Sequence, residues 1–402
     1  IMGTPSMKEL IASTDRYICS TYTRFPLVLT RGEGMKVWDS EGKEYLDFVS
    51  GIAVLNVGHL HPHVVEAIQQ QSKKLIHVTN LFYSEPQIRL AELLVTHSFA
   101  DKVFFSNSGA EANEGAIKLA RKVFSDKGES TRYEIITMEK SFHGRTMAAL
   151  SATEQKKFHQ GFGPLLNGFT YVPFDDPQAV EEAITDATCA VMLEPIQGEG
   201  GVNCPSPDYL KGLRDICDRH GLLLIFDEVQ VGMGRTGKLF AYQHYGVEPD
   251  IMTLAKALAS GMPIGALLAK EEFAKSFSPG THASTFGGNP LSSATGVATL
   301  EVILGEGFLE NCRKQGEYFH SQLAALKEKH SSIIQIKGRG LILGIELTFK
   351  GADIAAECMK RGFLINCTME TILRFIPPLI ITEKEIDLLI KTLDELLEKQ
   401  AS

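Results

Sequence analysis

The chain has no basic excess, no organised cysteines, no apolar run of membrane length and a single tryptophan. Lys and Arg total 40 against 49 Asp and Glu, a formal charge of −9. No nucleic acid or anionic membrane is therefore expected as the main partner, because proteins that track phosphates need a surplus of cations. A local anion site stays open. Cysteine is present but unpatterned: Cys19, Cys189, Cys204, Cys217, Cys312, Cys358 and Cys367 are widely scattered and contain no CxxC pair. That argues against a disulfide framework and a structural zinc site; no metal is expected, and a cytoplasmic location is. The longest apolar stretches, GLLLIF at 221–226 and ALLA at 266–269, fall far short of the ~20 residues of a membrane helix. The opening IMGTPSMKELIASTD lacks the apolar core of a secretion signal, and its acidic residues disfavour a transit peptide. Ile1 is not a natural start, and the residues before Met7 read as a cloning remnant.

What is present is an ordinary globular composition, 44% hydrophobic and 22% charged over 402 residues. That length accommodates a large α/β domain and a smaller one. Strand-like runs are KVFFS (102–106), EIITM (134–138), FTYVP (169–173), CAVMLEP (189–195), LLLIFDE (222–228), IMTLAK (251–256) and IGALLA (264–269). Several are apolar throughout and end in a polar residue, as parallel strands covered on both faces do. Helices fall between them; Asp176–Pro177 and Ser206–Pro207 each read as a capping residue followed by a first-turn proline. Strands alternating with helices imply a mostly parallel, doubly wound sheet. After residue 300 the pattern turns to α+β. The last helix opens on a capping box of Thr382 and Glu385 and carries an apolar stripe of Ile386, Leu389, Ile390, Leu393, Leu396 and Leu397. The expected organisation is a segment 1–60 that joins the small domain, a large domain 61–299 and a small domain 300–402.

In open α/β sheets ligands sit beyond the carboxyl ends of the strands, and three such ends stand out. SNSGAEANEGA (106–116) joins a strand to a helix; Ser108, Gly109 and Ala110 would offer free N–H groups and the positive end of the helix dipole to a phosphate. Ser108 could equally be a plain helix cap. Asp227 ends LLLIFD and could be a loop carboxylate or the partner of a buried cation. At ~4 Å and an effective dielectric near 20 that pairing is worth roughly 4 kcal/mol gross, reduced by desolvation. Lys256 closes an apolar strand, where a lysine either snorkels or, with its amine desolvated, serves as a Schiff-base nucleophile. Phosphate cradle, strand-end acid and strand-end lysine together ask for pyridoxal 5'-phosphate.

With YTRFPLVLTRGEG, VWDSEGKEYLDFVSGIAV, GHLHP, TNLFYSEPQ, SNSGAEANE, FHGRT, EPIQGEGG, FDEVQVGMGRTGKLFA, LAKAL, STFGGNP and LRFIPPLIIT in order from about residue 17 to 397, the sequence resembles the class III pyridoxal-phosphate aminotransferases, most closely the acetylornithine aminotransferases. The resemblance implies the type I pyridoxal-phosphate transferase fold. It makes Lys256 the cofactor lysine and proton carrier, and Asp227 the acid that keeps the pyridine nitrogen protonated. It adds Phe142 as the ring-stacking aromatic, groups Glu228 with the cofactor residues, and puts Val229 and Gln230 against the other ring face and the ring hydroxyl. It makes Thr285 a hydroxyl that reaches the phosphate of a neighbouring subunit, so a homodimer with shared active sites is expected.

Substrate residues also follow from the resemblance. Arg145 would bind a substrate carboxylate, a two-pronged task suited to guanidinium. Arg374 would take the α-carboxylate of glutamate, and Glu199 would pair with Arg374 and swing away when glutamate arrives. Ser284 would touch the acylated substrate. Ornithine aminotransferases carry a tyrosine where this chain has Ile52, which favours an acylated α-amine. The implied reaction moves the terminal amino group of N2-acetyl-L-ornithine to 2-oxoglutarate, as in arginine biosynthesis. Succinylornithine, ornithine and 4-aminobutyrate are the alternatives within the family, and a non-catalytic phosphate-binding protein is the alternative outside it.

Overall fold

The fold is described from a computed structural model covering residues 5–401; the stretch read as a cloning remnant lies largely outside the described residues. Three short strands come first, β1 (Leu29–Glu33), β2 (Lys36–Asp39) and β3 (Glu44–Asp47). Seven then build the main sheet: β4 (Lys102–Ser106), β5 (Glu134–Met138), β6 (Phe169–Val172), β7 (Thr188–Leu193), β8 (Leu223–Asp227), β9 (Ile251–Leu254) and β10 (Gly265–Ala269). They are the seven runs expected from the sequence. Five more follow, β11 (Ile333–Arg339), β12 (Ile342–Leu347), β13 (Phe363–Leu364), β14 (Asn366–Thr368) and β15 (Ile372–Phe375).

The main sheet has the order β4-β10-β9-β8-β7-β5-β6, and only β10 runs against its neighbours. Its central strands read as unbroken apolar runs because both faces are covered. Val191, Leu193, Leu224 and Phe226 enter one core, while Met192, Leu223 and Ile225 enter another on the opposite face. The ends of β4, β8 and β9 consequently meet along one edge, with the start of β10 beside Ser106.

The N-terminal strands pair with the C-terminal part of the chain: β3 lies parallel to β13, through Phe363–Leu46 and Leu364–Asp47. Met35 and Phe48 enter the same core as Phe319, Leu343, Phe375 and Leu393. In the last helix, Glu383–Ala401, the side chains of Ile386, Leu389, Leu393, Leu396 and Leu397 are buried. Glu385 accepts from the Thr382 N–H at 3.0 Å. One helix start differs from expectation. Asp176 does cap its helix, accepting from the Ala179 N–H at 2.9 Å, but the next helix begins only at Tyr209 after Asp208. Ser206 instead donates its hydroxyl to Asp175 at 2.8 Å, so the loop carboxylate takes the group that would have capped the helix.

Candidate active site

A cavity of about 390 Å³ opens where β4, β8 and β9 end. The helix Gly109–Asp126 starts at its wall, capped by the Ser108 hydroxyl, which accepts from the Glu111 N–H at 3.1 Å. Ser108 is thus a helix cap and a cavity residue at once. The N–H groups of Gly109 and Ala110 have no partner among the described residues and, with the helix dipole, form a cradle for an anion. Gly109 is required here by packing. A Cβ on it would lie 2.7 Å from Val229 Cγ1, so any larger residue would clash with the Val229 side chain unless one of the two shifted.

Asp227, also in the cavity wall, is buried. One of its oxygens accepts from Asn113 Nδ2 at 2.8 Å and pairs with His143 Nδ1 at 2.7 Å; the other accepts from the Val229 N–H at 3.0 Å. Asn113 is held in turn by the Thr253 hydroxyl at 2.7 Å and the His143 carbonyl at 2.7 Å. Burial alone would depress the His143 imidazole, but Asp227, with Glu194 behind it, raises it above its ordinary value. Burial pushes Glu194 up to about 7, and the carboxylate of Asp227 adds to this against the pull of His143. His143, Asn113 and Glu194 all line the cavity, and the sequence reading assigned them no role. Glu194 stands just beyond the apolar strand β7, the signal that singled out Asp227.

Lys256 faces the cavity just past β9. Its backbone is left-handed, with φ of 45°, a strained setting for a residue with a side chain. Its amine makes no hydrogen bond or ion pair among the described residues. Burial holds it below the usual lysine range; Arg374 acts the same way, against the pull of Glu199, Asp227 and Glu194.

The remaining expected residues divide into three groups. Phe142, Arg145, Val229 and Gln230 line the cavity. Arg145 is exposed and has no carboxylate partner among the described residues; its guanidinium lies 3.8 Å from the centre of the Phe158 ring. Glu199 and Arg374 sit beyond the cavity wall, reached through Gln230. Arg374 Nη1 donates to Glu199 at 2.7 Å and to Gln230 at 3.2 Å, and Gln230 Nε2 donates to the same Glu199 oxygen at 3.2 Å. Ser284 and Thr285 line a separate groove of about 1140 Å³ together with Asn80 and Leu81. Glu228 departs from expectation. Its two oxygens accept from the Ala241 and Tyr242 N–H groups, each at 2.7 Å. Peptide donors on that side draw the carboxylate away from the cavity, and burial pushes it up to about 8. Ile52 is outside the cavity wall, which Val54 reaches instead.

A ligand that suits this cavity needs an anionic end at Gly109 and Ala110, a cationic ring atom at Asp227, and between them a carbon that a desolvated amine can attack. Pyridoxal phosphate meets all three needs, and the arrangement defines an enzyme that works with it. Comparison with known proteins supplies the family: the class-III aminotransferase model matches residues 17–397, and the chain belongs to that family. Acetylornithine aminotransferase of Caldanaerobacter subterraneus subsp. tengcongensis is 55% identical over 97% of this chain and 99% of its own. A solved ornithine aminotransferase from Toxoplasma gondii ME49 superimposes with a TM-score of 0.95 at 35% identity, covering 100% of this chain and 97% of the other. The acetylornithine aminotransferase of Elizabethkingia anophelis does so with a TM-score of 0.88 at 35% identity, over 98% and 100% of the two chains. The chain is a pyridoxal-phosphate-dependent transaminase.

Proposed function

We propose that the enzyme transfers the terminal amino group of N2-acetyl-L-ornithine to 2-oxoglutarate, giving N-acetyl-L-glutamate 5-semialdehyde and L-glutamate. The observation that carries this reading is the contrast between two arginines. Arg145 is open to a carboxylate, whereas Arg374 is fully buried and already paired with Glu199 at 2.7 Å. A transaminase accepts two substrates in turn. Acetylornithine, entering amine first, brings one carboxylate for Arg145 and none for Arg374; glutamate brings two. Glu199 compensates Arg374 while the first substrate is bound and yields to the second. Without it, a bare guanidinium would be buried at a cost of several kcal/mol. Burial would raise Glu199, yet Arg374 and then Lys256 keep it below the ordinary range, so it stays charged for this task.

Bound pyridoxal phosphate supplies the carbonyl that exchanges with amines and the ring that stores the electron pair released when a proton leaves the substrate. The chain's own residues do the rest. Gly109 and Ala110 hold the phosphate, Asp227 keeps the ring nitrogen protonated, and His143 and Asn113 hold Asp227 in place. Phe142 and Val229 enclose the ring, Gln230 bonds its hydroxyl, and Lys256 takes the proton from the substrate carbon and returns it one atom away. Ser284, in the adjoining groove and bonded at 3.3 Å to Asn107 of the cavity wall, is the residue expected to touch the acyl group.

The working unit on this reading is a homodimer. Leu81 (86% exposed), Phe82 (64%) and Tyr83 (97%) stand bare beside the groove that holds Thr285, and apolar surface of that kind marks a protein interface. The same reading has residues 1–60 moving with 300–402 as the small domain, and seven free cysteines support a reducing, cytoplasmic setting. The deciding measurement is the visible spectrum of the holoenzyme on adding N-acetylornithine without 2-oxoglutarate. The band of the aldehyde form should give way to that of the amine form. A band that responds to ornithine alone overturns the substrate, and one that responds to no amine overturns the transfer.

A further inference from the structure

Arg374 is held from a side that the switch with Glu199 does not explain. Its Nε donates to Asn366 Oδ1 at 3.2 Å, while its Nη2 is buried with no partner among the described residues. Asn366 lies directly across from Arg374 in the antiparallel pair of β14 and β15, so the sheet register sets their separation. Two residues along, on the same strand face, the Thr368 hydroxyl donates to the Glu199 carbonyl at 2.8 Å. One strand thus grips both partners: the guanidinium of Arg374 and the backbone, but not the carboxylate, of Glu199.

Resting on the two-substrate reading above, we propose that Asn366 is the positioning residue of the Arg374 switch, keeping the guanidinium aimed while Glu199 is turned away. When Glu199 leaves, Nη1 loses its carboxylate and keeps only its bond to Gln230 Oε1 at 3.2 Å, so the orientation of the planar group rests on a second anchor at Nε. The Nε bond to Asn366 does not depend on Glu199 and survives that step. A neutral amide suits the position: it fixes the guanidinium without competing for its charge, as an aspartate would. Asn366 therefore serves the glutamate and 2-oxoglutarate half of the cycle and is idle in the other half.

The test compares Asn366→Leu and Asn366→Asp with wild-type holoenzyme. Each half-reaction is followed separately at the cofactor absorbance, and binding of glutarate, an unreactive five-carbon dicarboxylate, is measured by calorimetry. In the Leu variant the glutamate half-reaction should lose roughly 10- to 100-fold in kcat/KM, the scale of a lost hydrogen bond to a charged group. Glutarate binding should weaken in parallel, and the N-acetylornithine half-reaction should stay within about twofold. The Asp variant should show the same asymmetry with a larger loss. Equal losses in both half-reactions, or an unchanged glutamate half-reaction, would overturn the proposal. If wild-type enzyme reacts with glutamate but not with N-acetylornithine, the substrate reading falls, while the glutamate and glutarate measurements still judge Asn366.

Discussion

Arg145 and Arg374 show how one side-chain type serves two purposes according to what surrounds it. Arg145 sits over Phe158, 3.8 Å from the ring centre, a cation–π contact that leaves its donors for a ligand. Arg145→Lys keeps the charge but loses the fork and the stacking, so steady-state kinetics should show kcat/KM for the amine donor reduced roughly 10- to 100-fold. Lys256 bears on the pH profile. Burial keeps its amine below the ordinary lysine range, and the neutral form, the one that can act as nucleophile or base, gains population as pH rises. Turnover should climb from acid toward mildly alkaline pH, and a profile that falls between about pH 6 and 8 would contradict that role. Asp227 and His143 form a buried pair at 2.7 Å with almost no exposure on either side. Removing one member strands the other, so Asp227→Ala should cost about 3–5 kcal/mol in denaturant unfolding of the cofactor-free protein. Adding His143→Leu to that variant should recover part of the stability and none of the activity.

At the scale of elements, the hairpin of β14 and β15 carries Arg374 and is closed by an unusual turn. Met369 and Glu370 both adopt left-handed backbone, with φ of 48° and 63°, although neither is a glycine. Such a conformation costs about 1–2 kcal/mol per residue with a side chain. Among the described residues the Glu370 side chain is engaged only in an exposed ion pair with Lys350 at 3.5 Å, and such pairs contribute little. Glu370→Gly should therefore stabilise the protein by about 1 kcal/mol, read as a higher denaturation midpoint, with the glutamate half-reaction unaltered. A second left-handed stretch covers Ser50, Gly51, Ile52 and Ala53. The fully buried Arg235 touches it at Ser50, whose hydroxyl accepts from the guanidinium at 3.4 Å, and also donates to Asn56 Oδ1 at 2.6 Å just beyond it. The turn places Val54, rather than Ile52, on the cavity wall. Ile52 is thus not placed to touch a ligand in the cavity directly.

For the whole molecule, the prediction concerns the surface around Thr285. If two chains share their sites, Phe82→Asp should shift the protein toward monomers in sedimentation and lower activity more than tenfold, since Thr285 would then reach no phosphate. A monomeric and fully active variant would remove the shared-site reading.

Much of this architecture was legible in advance. The seven strands of the main sheet announce themselves as continuous apolar runs, because a strand covered on both faces has no polar side to show. Asp227 and Lys256 were legible for a related reason: a charged residue at the end of such a run stands out against its neighbours. Glu194 carried the same signal unread. His143 and Asn113 could not be found in this way. They lie in a loop and on a helix face, and only the meeting of 113, 143 and 227 in space makes them a network. Glu228 shows the reverse: adjacent in sequence to Asp227, it points the opposite way, since successive side chains at the end of a strand alternate.

The sequence by itself determined the sheet and the family and marked Lys256 and Asp227 out from their neighbours, because these depend on short-range patterns of hydrophobicity and on residues whose type alone restricts their role. The tertiary structure decided which carboxylates face the cavity, that Arg374 is paired with Glu199 and hydrogen-bonded to Asn366, and that Thr285 opens onto a different groove. Those matters depend on contacts between segments up to 207 residues apart, and only the packed chain brings them within hydrogen-bonding distance.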